Sequence, residues 1–318
     1  MFLAIFLFII GLAVLVAGAE FLVRGASSLA QKWGVPAIVI GLTIVAFGTS
    51  MPELVVNLFS AFRGATDIAI GNVIGSNTAN ILLILGITAL IYPLSVKKNT
   101  TWKEIPFALL AVVLVFIMGN DRLFDGVDFN ALTRTDGLAL IAFLGIFMFY
   151  IVSLARQGEA SEEKARVYST WLSATFTIGG LAALFVGGKI LVDNAVILAR
   201  LAGMSEVLIG LTIVAVGTSL PELATSVVAV IRKQNDIAVG NIVGSNIFNV
   251  FWILGLTGTI LPLPFNSIIN FDVLVSITAT LLLFLFMFIG ARRKLDRWQG
   301  AMFILLYAVY VAYLVYRG

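Results

Sequence analysis

The sequence predicts an all-α polytopic membrane protein, ten transmembrane helices arranged as two inverted five-helix repeats. Three observations predict it. Only 12% of the 318 residues are charged and 60% are hydrophobic, whereas a soluble domain carries roughly 25% charged residues. Apolar stretches of about twenty residues, each long enough for a hydrocarbon core about 30 Å thick, recur along the chain. A block of the first half, polar residues included, returns in the second half at a fixed offset. A large soluble helical core would not supply so many uncharged stretches.

Taken in order, the first five spans fall near 2–23, 36–62, 68–92, 104–119 and 136–155. The second five fall near 170–199, 205–231, 237–261, 272–291 and 298–316. The first stretch lacks a positively charged leader and is longer than the apolar part of a secretory signal, so it reads as a spanning helix. Two polar interruptions stand out, Asn120 to Asp136 and Arg156 to Arg166. The second lies mid-chain and divides it into a repeat over 1–155, a cytoplasmic linker over 156–169 and a repeat over 170–318. Basic residues favour the cytoplasmic side of a membrane. Fourteen Lys and Arg flank one face of this plan, five the other, and Lys189 lies within a span, which accounts for all twenty. Both termini are therefore expected outside a cell membrane, as an even span count requires.

The repeat is specific. GLTIVAFGTSMPEL at Gly41 to Leu54 returns as GLTIVAVGTSLPEL at Gly210 to Leu223, and DIAIGNVIGSNTAN at Asp67 to Asn80 returns as DIAVGNIVGSNIFN at Asp236 to Asn249. Glu222 stands 169 positions after Glu53, and Asn249 stands 169 after Asn80. Lipid exposure would match Leu and Val by chance, but not Thr, Ser, Pro, Glu and Asn in register. Five spans per half is an odd number, so the second half enters the bilayer inverted, as in secondary transporters. A channel duplicated the same way would share this pattern.

The repeated residues carry chemistry. Pro52 lacks an amide donor and breaks its helix, and Glu53 follows it inside an apolar span with no Lys, Arg or His alongside. An ionisable residue in such a place marks function by default; the plainer alternative is a protonated carboxyl gluing helices. Thr49 and Ser50 precede Glu53 by four and three positions and share its helical face. Thr218, Ser219, Pro221 and Glu222 repeat the arrangement. Ser76 with Asn80, and Ser245 with Asn249, are four apart on one face, although serine often simply packs helices. Asn77 and Asn246 read as backbone-bonding residues. Carboxylates, hydroxyls and amide oxygens together suit hard cations such as calcium or sodium. With no Cys and no His, thiolate and imidazole metal sites and histidine-based catalytic pairs are excluded. Glu20 and Arg24 read as an intrahelical pair, repeated with exchanged charges at Lys189 and Asp193.

Two in-register copies of GTSxPE and GSNxxN resemble the sodium/calcium exchangers of the calcium/cation antiporter superfamily, over the whole ten-span plan. The resemblance implies exchange of sodium for calcium by alternating access, with spans one and six sliding past the rest. It places ion ligands on the side chains of Thr49, Ser50, Glu53, Ser76 and Asn80, and of Thr218, Ser219, Glu222, Ser245 and Asn249. The backbone carbonyls of Ala46 and Ala215 join them. Relatives, potassium-dependent exchangers among them, often have Asp where this chain has Asn249; with Asn at both 80 and 249, potassium co-transport is not expected. The partners expected are sodium and calcium ions and membrane lipid, with no cofactor, no nucleic acid and a monomer as the unit. A calcium/proton antiporter on the same frame, a passive cation channel and an intramembrane hydrolase using Ser50 or Ser219 are the alternatives. The last lacks a histidine or nearby lysine, so the chain reads as a transporter and not an enzyme.

Overall fold

The computed structural model describes residues 1–156, 166–203, 215–290 and 292–317, without the Ala215 side chain. Its helices are α1 (Phe2–Trp33), α2 (Ala37–Thr49), α3 (Met51–Phe62), α4 (Thr66–Ile91), α5 (Thr100–Met118) and α6 (Arg134–Arg156). After the midpoint come α7 (Thr170–Leu201), α8 (Leu220–Ile231), α9 (Asn235–Ile260), α10 (Ser267–Phe286) and α11 (Arg297–Arg317). Among the described residues eight helices are long and apolar enough to span a membrane, and α2 with α3, bent by 43°, make a ninth. The expected span at 205–231 falls partly on 204–214, outside the described residues, and so does most of the expected linker.

Two details depart from the sequence reading. Helix α5 opens at Thr100 with a wide π-helical turn through Glu104, so Trp102 and Lys103 sit on the helix rather than before it. The all-α reading also omits two short antiparallel ladders: β1 (Leu94–Ser95) pairs with β4 (Lys294–Leu295), and β2 (Ala131–Leu132) with β3 (Leu263–Pro264). Each ladder ties a loop of one half to a loop of the other. Two-residue ladders carry no alternating pattern, so the sequence gives no strand signal.

Helices α9 and α4 form the centre. Of their apolar windows 94% and 72% are buried, against 22–39% for the other long spans. This follows from composition: both are rich in Gly and Asn, which allow close helix approach and bond across interfaces. Their ends interlock the halves. A Cβ on Gly137 of α6 would stand 2.4 Å from Thr259 N of α9, and one on Gly300 of α11 would stand 2.7 Å from Gly86 O of α4.

Helices α1 and α7 cross the molecule side by side and antiparallel. Their contact is made by repeat-related glycines. A Cβ on Gly11 or Gly18 would lie 2.6 or 2.7 Å from the backbone nitrogen of Leu191 or Leu184. A Cβ on Gly180 or Gly187 would lie 2.5 Å from that of Leu22 or Leu15. No side chain fits at these four positions, so backbone meets backbone. Replacing Gly187 by Val is expected to lower stability by about 1–3 kcal/mol through overpacking, read as a lower midpoint of thermal unfolding in detergent. Gly145→Ala, with no described atom within 4 Å of the added carbon, is the control expected to leave the midpoint unchanged.

Candidate ion-binding site

Each glutamate sits just beyond a helix break. Ser50 leaves the helical conformation at φ −81°, ψ 5°, and α3 restarts with Pro52 and Glu53 in its first turn. Ser219, at φ −88°, ψ 6°, does the same before Pro221 and Glu222 of α8. Proline is tolerated in a first turn, where its missing amide hydrogen bonds nothing in the helix. The free amides and dipole of a helix start favour a carboxylate there. On the central helices, wide π-helical turns begin at Ala79 and at Asn249. Such turns are frequent at functional sites; here they open where Asn80 and Asn249 stand.

The breaks and the central helices meet as a two-fold set of bonds. Ser50 Oγ donates to Glu222 Oε1 at 3.2 Å, and its repeat partner Ser219 donates to Glu53 Oε1 at 3.3 Å. Ser76 reaches Glu53 Oε1 at 3.4 Å and Ser245 reaches Glu222 Oε1 at 3.3 Å. Thus each carboxylate is held by one serine from its own half and one from the other. Thr49 Oγ1 donates to Asn241 Oδ1 at 3.0 Å, and Thr218 Oγ1 to Asn72 Oδ1 at 3.4 Å. The Ala46 carbonyl faces the same group: Ser245 Oγ lies 3.5 Å from it and Thr49 Oγ1 3.3 Å.

Apart from the half-buried Thr218 and from Ala215, whose side chain is not described, every expected ligand residue is at most 3% exposed. Ala215 opens the short helix Ala215–Gly217 ahead of the second break. The bonds join Thr49, Ser50, Ser245 and Glu222 in one group and Ser76, Ser219 and Glu53 in its counterpart, while Thr218 bonds to Asn72, and Asn80 and Asn249 bond to the asparagines of the central helices. Four oxygens in the set are buried without a hydrogen-bond partner: Glu53 Oε2, Glu222 Oε2, Asn80 Oδ1 and Asn249 Oδ1. They too form two repeat-related pairs. A buried unsatisfied acceptor costs about 1–3 kcal/mol, and a cation relieves several at once. Among the described residues no three His, Cys, Asp or Glu side chains gather, so the local charge comes from two carboxylates.

Sequence reasoning passed over Asn72 and Asn241, and it read Asn77 and Asn246 as backbone-bonding residues, which they are, without showing that their side chains also hold Asn80 and Asn249. Asn241 accepts from Thr49 and donates to Ser226 Oγ at 3.0 Å. Asn77 Nδ2 donates to the Asn246 carbonyl at 3.1 Å, and Asn246 Nδ2 to the Asn77 carbonyl at 3.3 Å. Asn80 Nδ2 and Asn249 Nδ2 each donate, at 2.9 Å, to the side-chain oxygen of Asn246 and Asn77. These bonds turn the free oxygens of Asn80 and Asn249 away from their amide hydrogens. Asn72 and Asn241 lie in register in the repeat, which was the available signal.

Comparison with known proteins now bears on the identity of this arrangement. The model of the family described as "Sodium/calcium exchanger protein" matches residues 3–153 and 172–316. The chain belongs to the sodium/calcium exchanger family. It is 40% identical over 297 residues to the inner membrane protein YrbG of Escherichia coli (strain K12), covering 89% of each chain. It is 33% identical to the sodium/calcium exchanger MaX1 of Methanosarcina acetivorans, covering 97% of each. A solved structure of the sodium-calcium exchanger NCX_Mj, soaked with 2.5 mM Na+ and 0.1 mM Ca2+, matches with a TM-score of 0.82 at 33% identity over 98% of both chains. This exchanger is thus a multi-pass helical membrane protein of a transporter family, with a cation antiporter's fold.

The amide lattice has a measurable consequence. Asn246→Ala strands the Asn80 amide and the Asn77 carbonyl, at about 1–3 kcal/mol for each unsatisfied group. Thermal unfolding without sodium or calcium is expected to show that loss. The double change Asn77→Ala/Asn246→Ala is expected to cost less than the sum of the single changes, because the pair is coupled.

Proposed function

We propose that this exchanger carries sodium one way and calcium the other by alternating access at a single midplane site formed around Glu53 and Glu222. The observation that carries the reading is the buried two-fold set of unsatisfied oxygens, two carboxylate and two amide. In this reading the oxygens of Thr49, Ser50, Ser76, Thr218, Ser219 and Ser245 and the Ala46 and Ala215 carbonyls complete the ligand sphere. The all-oxygen set suits calcium and sodium. Two ionised glutamates supply a charge of −2, which one calcium or two sodium ions neutralise. Adding a calcium to a sodium-filled site would place like charges together in a low dielectric. The two loads then exclude one another, and exchange follows. A third sodium would make each cycle electrogenic.

The ten-span, inverted-repeat plan, with halves 1–155 and 170–318 joined by a cytoplasmic linker, belongs to the same proposal. Support comes from the reciprocal bonds between residues 169 positions apart and from the antiparallel α1 and α7. Both termini lie outside a cell membrane by the charge count. On the outer side in that orientation, a cavity of about 500 Å³ lined by Asp67, Asn72 and Asp272 among others reaches Thr218. It opens a path toward Thr218 in which these polar side chains stand among largely apolar walls.

On the opposite side the helices are latched. Glu20 of α1 binds Arg24 at 2.5 Å and also Arg232, just past α8, with Nε to Oε2 at 2.6 Å. The intrahelical reading of Glu20 and Arg24 was incomplete, since sequence spacing does not show a partner 212 residues away. The repeat-related residues are Lys189, Asp193 and Arg63. Lys189 binds Asp193 at 2.8 Å, both more than half-exposed, and Arg63 makes no ion pair among the described residues. When α1 and α7 slide, Glu20 releases Arg232 and Asp193 takes Arg63, so each ion pair closes one side.

Two experiments test these proposals. Calcium uptake into proteoliposomes loaded with sodium, against choline-loaded controls, is expected to need the outward sodium gradient and to vanish in Glu53→Gln and Glu222→Gln. Uptake that follows a pH gradient and ignores sodium would replace sodium by protons as the coupling ion, and uptake without any counter-ion gradient would indicate a channel. The chain has no cysteine, so Ser27→Cys, in the cavity beside Arg24 and Arg232, serves as a reporter for the latch. Arg232→Gln is expected to raise its labelling by a membrane-impermeant thiol reagent severalfold; an unchanged rate would remove the latch.

A further inference from the structure

Away from the ion site, the β1–β4 ladder brings two basic loops together. Lys98 approaches from the loop of one half, and Arg292 and Arg293 from the loop of the other, around a cavity of about 200 Å³ walled by Trp102 and Phe288. Arg293 is fixed there. Its φ of 57° is left-handed, its amide donates to the Met287 carbonyl at 2.8 Å, and its carbonyl accepts from Val96 N at 2.8 Å. A non-glycine residue in that conformation is uncommon and marks a position the surroundings determine.

Basic residues on this face follow generally from membrane topology, so their presence alone shows nothing. Their pairing is more informative. Neighbouring Lys97 binds Asp236 at 2.6 Å, Lys294 binds Asp296 at 3.3 Å, and Lys103 lies over the Tyr150 ring at 5.0 Å. Lys98, Arg292 and Arg293 have no carboxylate partner among the described residues. The fold supplies anions to the cations on either side of the cavity and none to the three that line it.

A second cavity begins at the same tryptophan. About 410 Å³ in volume, it runs along the outside of α5 past Trp102, Pro106 and Leu110, with Phe147 of α6 as its far wall. Residues 102, 106 and 110 fall on one helical face, so the groove follows the helix into the apolar depth. Glu104 lies in its floor, and its carboxylate accepts the Tyr150 hydroxyl. Trp102, 55% exposed, packs edge-on against Phe284 and Phe288 and borders both spaces. A cationic cavity and a largely apolar groove that share Trp102 as a wall match one kind of molecule, with an anionic head and a hydrocarbon tail.

We propose that the two cavities form one binding site for an acidic phospholipid, with its phosphate among Lys98, Arg292 and Arg293 and an acyl chain in the α5–α6 groove. Basic pockets between transmembrane helices recognise anionic headgroups in this way. Arginine adds forked, two-point contacts to phosphate oxygens. Bound there, the lipid joins the loop after α4 to the loop after α10, one from each half, and braces the helices that do not slide.

The test uses the full-length protein, delipidated in a neutral detergent and titrated with phosphatidylglycerol, phosphatidylcholine or inorganic phosphate, with binding read by native mass spectrometry and thermal unfolding. Phosphatidylglycerol is expected to bind at least tenfold more tightly than phosphatidylcholine. The triple variant Lys98→Gln/Arg292→Gln/Arg293→Gln is expected to lose that preference. Leu110→Trp fills the groove while keeping the cations, and is expected to weaken phosphatidylglycerol at least tenfold without changing phosphate binding. Equal affinity for the two lipids, or unchanged phosphatidylglycerol binding by either variant, overturns the proposal. Inorganic phosphate binding as tightly as phosphatidylglycerol overturns it as well and makes the cavity a site for free anions. If the triple variant does not fold, Leu110→Trp decides alone.

Discussion

Two carboxylates buried at the centre of an apolar protein, with no basic side chain paired with them among the described residues, are the constraint around which the rest is arranged. Removing one ionised carboxylate from water costs several kcal/mol even after relaxation. The protein offsets part of this with local means. The helix breaks place Glu53 and Glu222 in first turns, where the helix dipole favours a carboxylate, and each carboxylate receives one serine hydroxyl from its own half and one from the other. What these bonds leave unsatisfied is one oxygen on each glutamate and one on each of Asn80 and Asn249. In the proposed cycle a cation satisfies these oxygens, and its exchange is what moves the helices.

The packing reflects the same requirement. Helices α4 and α9, which carry the amide lattice, are the most buried of the long spans. Helices α1 and α7 are more exposed and meet through glycine faces that present few side-chain ridges to one another. A smooth backbone contact permits movement with little repacking, which interdigitated side chains would resist. The charged residues on these two helices are related by the repeat but differ in sign, Glu20 against Lys189 and Arg24 against Asp193. Duplication supplied the geometry, and later divergence made its two sides chemically distinct.

Much of this was legible in the sequence because the repeat exposes polar residues that lipid would otherwise exclude. Thr, Ser, Pro, Glu and Asn recurring 169 positions apart identify the helix breaks and the residues that converge on them. The family match and the helical membrane fold agree with the family and fold class expected from the sequence. Less visible was anything that depends on a partner distant in sequence. Asn241 bonds to Thr49 and Glu20 to Arg232, and neither contact has a local spacing to betray it. The ladder between Leu94 and Leu295 is too short to leave a pattern, yet it assembles the basic cavity. Gly240 and Gly244 pack closely on Leu42 and its neighbours, as small residues at repeat positions suggest, while Gly71 and Gly75 have no described atom within 4 Å of an added Cβ. The repeat partners of the residues that cover Gly240 are 207, 210 and 211, which lie outside the described residues.

The most direct test of a single shared site is equilibrium binding of radioactive calcium to the purified protein while sodium is raised at constant ionic strength. The expected result is complete displacement of calcium, with a sodium dependence steeper than first order, since at least two sodium ions replace each calcium. Loss of binding in Glu53→Gln and in Glu222→Gln is expected alongside. Calcium that stays bound at saturating sodium would contradict the account, because the two ions would then occupy separate sites.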